Sequence, residues 1–119
     1  MICLIDDNEH VRKALSFMLG AYDFEVVAYS SPLALLALSE IPAYDCFVLD
    51  LHMPGMSGLE LLTVLRERKI MTPTIMLTGS EDLQRSARIQ TLGVAAILTK
   101  PINSDVFINA INAAIKPPS

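Results

Sequence analysis

Five short apolar segments lie along the chain, and longer segments with helical periodicity separate them. The apolar segments are residues 2–5, 26–29, 46–49, 74–77 and 95–98. Four of them are almost continuously apolar, which is typical of strands in a parallel sheet that helices cover on both faces. The segment at 26–29 is more mixed in composition and suits an edge strand. This pattern predicts a sheet of parallel strands joined by helices.

Helical signals fill the intervals between the apolar segments. Apolar residues recur with the i, i+3, i+4, i+7 spacing of a helix at two places, Val11, Ala14, Leu15 and Met18 and again Phe107, Ala110, Ile111 and Ala114. Residues that favour helix starts precede the predicted helices, namely Asn8, Ser31 with Pro32, Ser57, and Asn103 or Ser104. A fourth helix is predicted over residues 81–92 from a thinner apolar stripe, with Gly93 suited to a left-handed cap at its end.

The element order is a strand followed by a helix, repeated five times, which predicts an α/β fold with right-handed crossovers. Five strands are too few for a closed eight-stranded barrel. We therefore expect an open doubly wound five-stranded parallel sheet in the order 2-1-3-4-5, which is the flavodoxin-like arrangement. Residues 1–116 are predicted to form one domain, and residues 117–119 (Pro-Pro-Ser) are predicted to begin a linker or tail.

Composition excludes several classes of protein. Hydrophobic residues make up 52% of the chain and charged residues 18%, so it is not a disordered segment. The net charge of −4 gives no basic excess for binding nucleic acid. No apolar run approaches the roughly 18 residues that span a membrane, and no signal segment opens the chain, so a cytoplasmic location is expected. Cys3 and Cys46 are predicted to be small buried apolar residues.

Polar side chains follow four of the five predicted strands. Asp6 and Asp7 come after the first strand, Asp50 ends the third, Thr78 follows the fourth and Lys100 follows the fifth. The first and third strands are neighbours at the point where the strand order reverses, so the three carboxylates are expected to converge. Carboxylates this close repel one another and need a cation, and an all-oxygen ligand set suits Mg²⁺.

These residue types together favour phosphoryl transfer. An ionised carboxylate can attack phosphorus without a general base, while a metal ion and a lysine neutralise charge on the phosphoryl oxygens. Taken singly, each residue has a structural interpretation, since an aspartate after a strand is commonly a helix cap or a turn former. The combination at one edge of the sheet favours the chemical interpretation.

At these residues the chain resembles the receiver domain of bacterial two-component response regulators, the CheY-like family. The resemblance covers essentially the whole chain. It is carried by the acidic pair, by Asp-Leu-His-Met-Pro-Gly-Met-Ser-Gly at residues 50–58, by Thr78 with Gly79 and by Lys100 with Pro101. The segments at 50–58 and 72–79 resemble those of receivers that precede a LuxR-type helix-turn-helix DNA-binding domain.

The resemblance implies roles for individual residues. Asp50 is expected to accept a phosphoryl group from a phosphohistidine on a sensor histidine kinase. Mg²⁺ is expected to bind Asp50, Asp7 directly, Asp6 mostly through water, and the backbone carbonyl of His52. Such a protein is a regulatory phosphoacceptor with self-catalysed chemistry, and not an enzyme with an external substrate.

Further expectations from the resemblance concern the switch. Thr78 is expected to bond a phosphoryl oxygen, and Lys100 is expected to pair with the phosphoryl group. The Lys100–Pro101 bond is expected to be cis, which places the lysine in the site. The family usually has a Tyr or Phe three residues before this lysine, and here the residue is Ile97. A homodimer is expected through the face of the fourth helix, fifth strand and last helix. DNA would be contacted only through an output domain that lies outside this chain.

Three alternatives remain open on sequence grounds. A flavodoxin-like flavin carrier would need a phosphate-binding loop after the first strand, where this chain has Asp6, Asp7 and Asn8. A phosphatase with an aspartyl nucleophile would usually need a cap domain for its substrate. A stand-alone receiver that relays phosphate or binds a partner protein differs from a transcriptional regulator in whether the gene continues past Ser119.

Overall fold

A parallel five-stranded sheet forms the centre of the protein, seen here in a computed structural model that describes residues 1–79 and 89–115. The strands are β1 (Ile2–Ile5), β2 (Val26–Tyr29), β3 (Cys46–Asp50), β4 (Thr74–Thr78) and β5 (Ala96–Thr99). Their order is β2-β1-β3-β4-β5, and every neighbouring pair is parallel. The predicted fold class and strand order are confirmed.

Four helices lie wholly within the described residues: α1 (Glu9–Ala21), α2 (Pro32–Leu36), α3 (Gly58–Glu67) and the C-terminal helix (Ser104–Ile115). The predicted caps are in place, because the side chains of Asn8, Ser31 and Ser57 each accept a hydrogen bond from the first turn of their helix. For the C-terminal helix the cap is Asn103, whose Oδ1 accepts from the Val106 amide at 3.1 Å.

Two apolar layers cover the faces of the sheet. On one face, buried leucines of α3 pack against alternate strand residues such as Phe47 and Leu49. On the other face, α1 and the C-terminal helix pack against the intervening residues such as Leu4 and Val48. Because both faces are buried, the central strands tolerate apolar side chains at every position, which explains their continuous apolar sequence.

The predicted fourth helix falls mostly outside the described residues. Residues 89–91 are helical, Ile89 is buried against the layer of α3, and Gly93 has φ of +75°, in the left-handed region predicted for it. The predicted boundary between a domain ending at 116 and a tail at 117–119 also lies outside the described residues and stays a prediction.

Candidate functional site

Three carboxylates meet at the carboxyl ends of β1 and β3. These strands are neighbours, with Ile5 paired to Leu49, so the residues that follow them leave the sheet side by side. Carboxylate oxygens of Asp6, Asp7 and Asp50 all lie within 4.8 Å of one another. Asp6 and Asp50 are buried, whereas Asp7 is exposed. The convergence expected from the strand order is therefore present.

A lysine from the end of β5 reaches into this acidic cluster. The Nζ atom of Lys100 lies 3.2 Å from Oδ2 of Asp6 and 3.3 Å from Oδ2 of Asp50. The bond between Lys100 and Pro101 is cis, as the resemblance implied. One ammonium group therefore neutralises part of the charge of two buried carboxylates, and it leaves the exposed carboxylate of Asp7 to solvent.

The environment of Asp50 opposes its ionisation on balance. Burial is the largest cause that raises the pKa of its carboxyl group, and the nearby charge of Asp6 raises it further. Lys100 acts in the opposite direction, as does the backbone N–H of His52, which donates to Oδ1 of Asp50 at 3.3 Å. The pKa of the Asp50 carboxyl group remains raised above its ordinary value, chiefly because the group is buried.

The donor chemistry of the cluster fits a hard divalent cation. Every group that the three residues offer is a carboxylate oxygen, and these are the ligands that Mg²⁺ prefers. The exposure of Asp7 leaves one side of the cluster open to water, and Mg²⁺ usually retains several water ligands in proteins. Besides burial, the charge of Asp6 raises the pKa of Asp50, and a bound cation would offset that charge.

The loop after β3 is fixed by the start of α3. Ser57 and Glu60 form a capping box, in which the Ser57 hydroxyl accepts from the Glu60 amide and the Glu60 carboxylate accepts from the Ser57 amide. The amide of Gly58 donates to the carbonyl oxygen of Leu51 at 2.9 Å. These contacts hold the backbone that follows Asp50 against the helix.

Thr78 and Ile97, which the resemblance relates to the switch, lie in β4 and β5. Thr78 is buried at the end of β4, next to β3, and its hydroxyl donates to the carbonyl of Gly79 at 3.1 Å. Ile97 is half-buried in β5 and packs against the apolar layer of α3. The proposed contact of Thr78 with a phosphoryl group, and the metal-binding role of the His52 carbonyl, stay predictions.

Two arginines contribute contacts that sequence analysis missed. Arg12 in α1 donates from Nη1 to the carbonyl oxygen of Asp6 at 2.8 Å. Arg66 in α3 donates to the carbonyl oxygens of Leu92, Ile70 and Thr72 at 2.8–3.1 Å. Backbone carbonyls leave no mark in the sequence, so neither contact has a local signal that could have revealed it.

Comparison with known proteins agrees with this geometry. Residues 2–112 match the family model described as response regulator receiver domain. The chain belongs to the response regulator receiver domain family. This is a family of regulatory domains. Among the described residues of this one, no helix is both long enough and apolar enough to cross a membrane.

Individual relatives of this receiver domain include two transcriptional regulators. The transcriptional regulatory protein FixJ of Rhizobium meliloti (strain 1021) is 39% identical over 111 residues, which are 93% of this chain and 54% of FixJ. The cell cycle transcriptional regulator CtrA of Caulobacter vibrioides (strain NA1000 / CB15N) is 31% identical over 115 residues, 97% of this chain and 50% of CtrA. The receiver domain thus spans about half the length of the curated relatives it matches.

Solved structures show the same fold. The crystal structure of FixJ-N superposes on the receiver domain with a TM-score of 0.85 and 36% identity, covering 99% of this chain and 94% of that one. The response regulator StyR superposes with a TM-score of 0.89 and 29% identity, covering 97% of this chain and 58% of StyR.

Proposed function

We propose that this receiver domain is a phosphoacceptor switch in which Asp50 takes a phosphoryl group from a phosphohistidine of a sensor histidine kinase. The observation that carries the proposal is the convergence of the Asp6, Asp7 and Asp50 carboxylates, two of which, Asp6 and Asp50, contact the ammonium group of Lys100. Membership of the receiver family supports the same assignment.

The proposed reaction is an in-line displacement at phosphorus. A carboxylate oxygen of Asp50 forms a new O–P bond while the P–N bond of the donor phosphohistidine breaks, and the electron pair of that bond goes to the imidazole nitrogen. Lys100, which already contacts Asp50, neutralises charge that develops on the phosphoryl oxygens. The hydroxyl of Thr78 turns from the Gly79 carbonyl and donates to a phosphoryl oxygen.

Mg²⁺ is the proposed cofactor, held by Asp6, Asp7, Asp50 and the backbone carbonyl of His52. When bound, it supplies charge neutralisation at the phosphoryl oxygens. The resemblance to the receiver family implies that Asp7 binds the ion directly and Asp6 acts mostly through water, and we propose the same roles here. The protein acts on its own aspartate, and we propose no external substrate and no further catalytic activity.

Mass measurement of the intact protein tests the proposal. After incubation with acetyl phosphate and Mg²⁺, the wild type is expected to gain one phosphoryl group, and Asp50→Asn is expected to gain none. Asp105→Asn is the matched control, because Asp105 is an exposed carboxylate in the first turn of the C-terminal helix. An unmodified wild type, or equal modification of Asp50→Asn, would contradict the assignment.

We also propose that the switch controls transcription through an output domain, which alone would contact DNA. The supporting observation is that FixJ and CtrA are named as transcriptional regulators and are about twice as long as their matched parts. The gene beyond the codon for Ser119 distinguishes the possibilities. A helix-turn-helix region there supports the proposal, whereas a stop codon favours a stand-alone receiver that relays phosphate or binds a partner protein.

We propose that phosphorylation causes the protein to form a homodimer through β5, the C-terminal helix and the predicted fourth helix. β5 is an edge strand, and Val106 on the C-terminal helix is an exposed apolar residue. Sedimentation velocity with and without beryllofluoride and Mg²⁺ tests this: a shift from monomer to dimer is expected only when both are present. An unchanged sedimentation coefficient would contradict dimerisation.

A further inference from the structure

We propose that Arg12 is a positioning residue for the cation site, acting through the backbone carbonyl of Asp6 to set the direction of the Asp7 carboxylate. The inference rests on the proposed function, since it concerns the same cation. It assigns a role to a residue of α1 that contributes no ligand of its own.

The contact lies at the peptide group that joins the two acidic residues. Nη1 of the half-buried Arg12 donates to the carbonyl oxygen of Asp6 at 2.8 Å, and this carbonyl belongs to the same planar peptide unit as the amide nitrogen of Asp7. Fixing the carbonyl therefore fixes the plane from which the Cα–Cβ bond of Asp7 departs.

The neighbours of Asp7 on both sides are already anchored. The side chain of Asp6 accepts from the Asn8 amide at 2.9 Å and from Lys100 at 3.2 Å. The side chain of Asn8 accepts from the Val11 amide at 3.1 Å, which caps α1. Arg12 completes this set by holding the peptide between Asp6 and Asp7.

Among the described residues, no such anchor holds the side chain of Asp7. Its side chain is exposed, and within residues 1–79 and 89–115 no protein donor bonds to its carboxylate. The carboxylate therefore depends on the backbone for its placement next to Asp50. Groups that orient a metal ligand in this way typically account for about 10-fold to 100-fold in metal affinity when they are removed.

The sign of the change in Mg²⁺ affinity on removal of Arg12 tests the proposal, because a purely electrostatic effect of Arg12 would have the opposite sign. Arg12 carries a positive charge beside a proposed cation site, so its removal would strengthen Mg²⁺ binding if repulsion were its main effect. Removal would weaken Mg²⁺ binding if Arg12 positions Asp7. The neighbouring Lys13 separates the two effects, because it is exposed and its Nζ pairs with Glu9 at 3.0 Å, away from the Asp6 carbonyl.

Calorimetric titration of the receiver domain and its variants with Mg²⁺ measures the change in affinity. Arg12→Met is expected to weaken Mg²⁺ binding by about 10-fold or more. Arg12→Lys keeps the charge and one donor, and is expected to fall between Arg12→Met and the wild type. Lys13→Met removes a charge without the contact, and is expected to leave the affinity unchanged or slightly increased. Equal or tighter binding by Arg12→Met would overturn the proposal.

A measurement without metal keeps the inference separate from the proposed function. In metal-free protein, Arg12→Met is expected to speed amide hydrogen exchange at Asp7 and Asn8, while exchange in the strands stays as in the wild type. If the wild type bound no Mg²⁺, the cofactor assignment would fail, and the exchange rates would still decide the role of Arg12. Unchanged exchange at both amides would overturn that role.

Discussion

The close approach of α3 to β3 gives a sharp prediction for Gly58→Ala. A Cβ atom at Gly58 would lie 2.4 Å from the backbone oxygen of Asp50 and 2.9 Å from Sδ of Met76. Ordinary contacts of a Cβ atom begin at 3.4 Å. The first turn of α3 would therefore have to move by about 1 Å, because a backbone oxygen cannot rotate out of the way.

The expected cost follows from two opposing effects. Overpacking of this kind costs about 1–3 kcal/mol, and a backbone obstacle places Gly58→Ala at the upper end. The higher helix propensity of alanine returns up to about 1 kcal/mol. We expect a net loss of about 2 kcal/mol in the free energy of unfolding, which corresponds to about 8 °C in Tm for a domain of this size.

Gly20→Ala is the matched control for this prediction. Gly20 lies in α1, and a Cβ atom there would meet no atom within 4 Å. The same substitution should therefore stabilise the protein by up to about 1 kcal/mol. Urea denaturation followed by circular dichroism measures both variants. If Gly58→Ala were as stable as the wild type, the close packing of α3 on Asp50 would be refuted.

Three further predictions concern residues outside the acidic cluster. Lys69→Gly should stabilise the protein by about 0.5–1 kcal/mol in urea denaturation, because φ of Lys69 is +66° and glycine adopts this conformation without strain. Arg66→Met should lower the free energy of unfolding by about 1.5–3 kcal/mol through the loss of bonds to three carbonyl oxygens, with Arg66→Lys intermediate; equal stability of all three proteins would contradict this. Burial raises the pKa of Cys3 and of Cys46 to about 12, so at pH 8 neither thiol should react with a disulfide reagent until denaturant is added, and rapid labelling of the native protein would show that the thiols are accessible.

Much of the fold was predictable because it is written in local patterns. The strands occupy the predicted apolar segments to within one residue at each end, and the caps at Asn8, Ser31 and Ser57 are those expected. Continuous apolar sequence implies burial on both faces, and this condition is met only when helices cover both sides of a sheet. The strand order then places Asp6 and Asp50 at one edge.

The contacts across the site were less predictable. The sequence indicated that Lys100 lies near three carboxylates, and side-chain reach decides that it contacts Asp6 and Asp50. Nothing in the local sequence indicates that the guanidinium of Arg12 bonds to the Asp6 carbonyl. The site roles of these residues, including the metal and the phosphoryl contacts, stay predictions with the experiments given above.

The sequence by itself determined which segments become strands, where helices begin, and which polar residues stand at the strand ends, because these features depend on neighbours a few positions away. Only the tertiary structure decided which atoms touch. It brings Gly58 so close to the backbone oxygen of Asp50 that no side chain fits there, and it lets Arg12 and Arg66 donate hydrogen bonds to backbone carbonyls. Such contacts depend on how strands and helices that are distant in sequence pack against one another. A displacement of about 1 Å between these elements would break the contacts and leave the pattern of apolar residues unchanged.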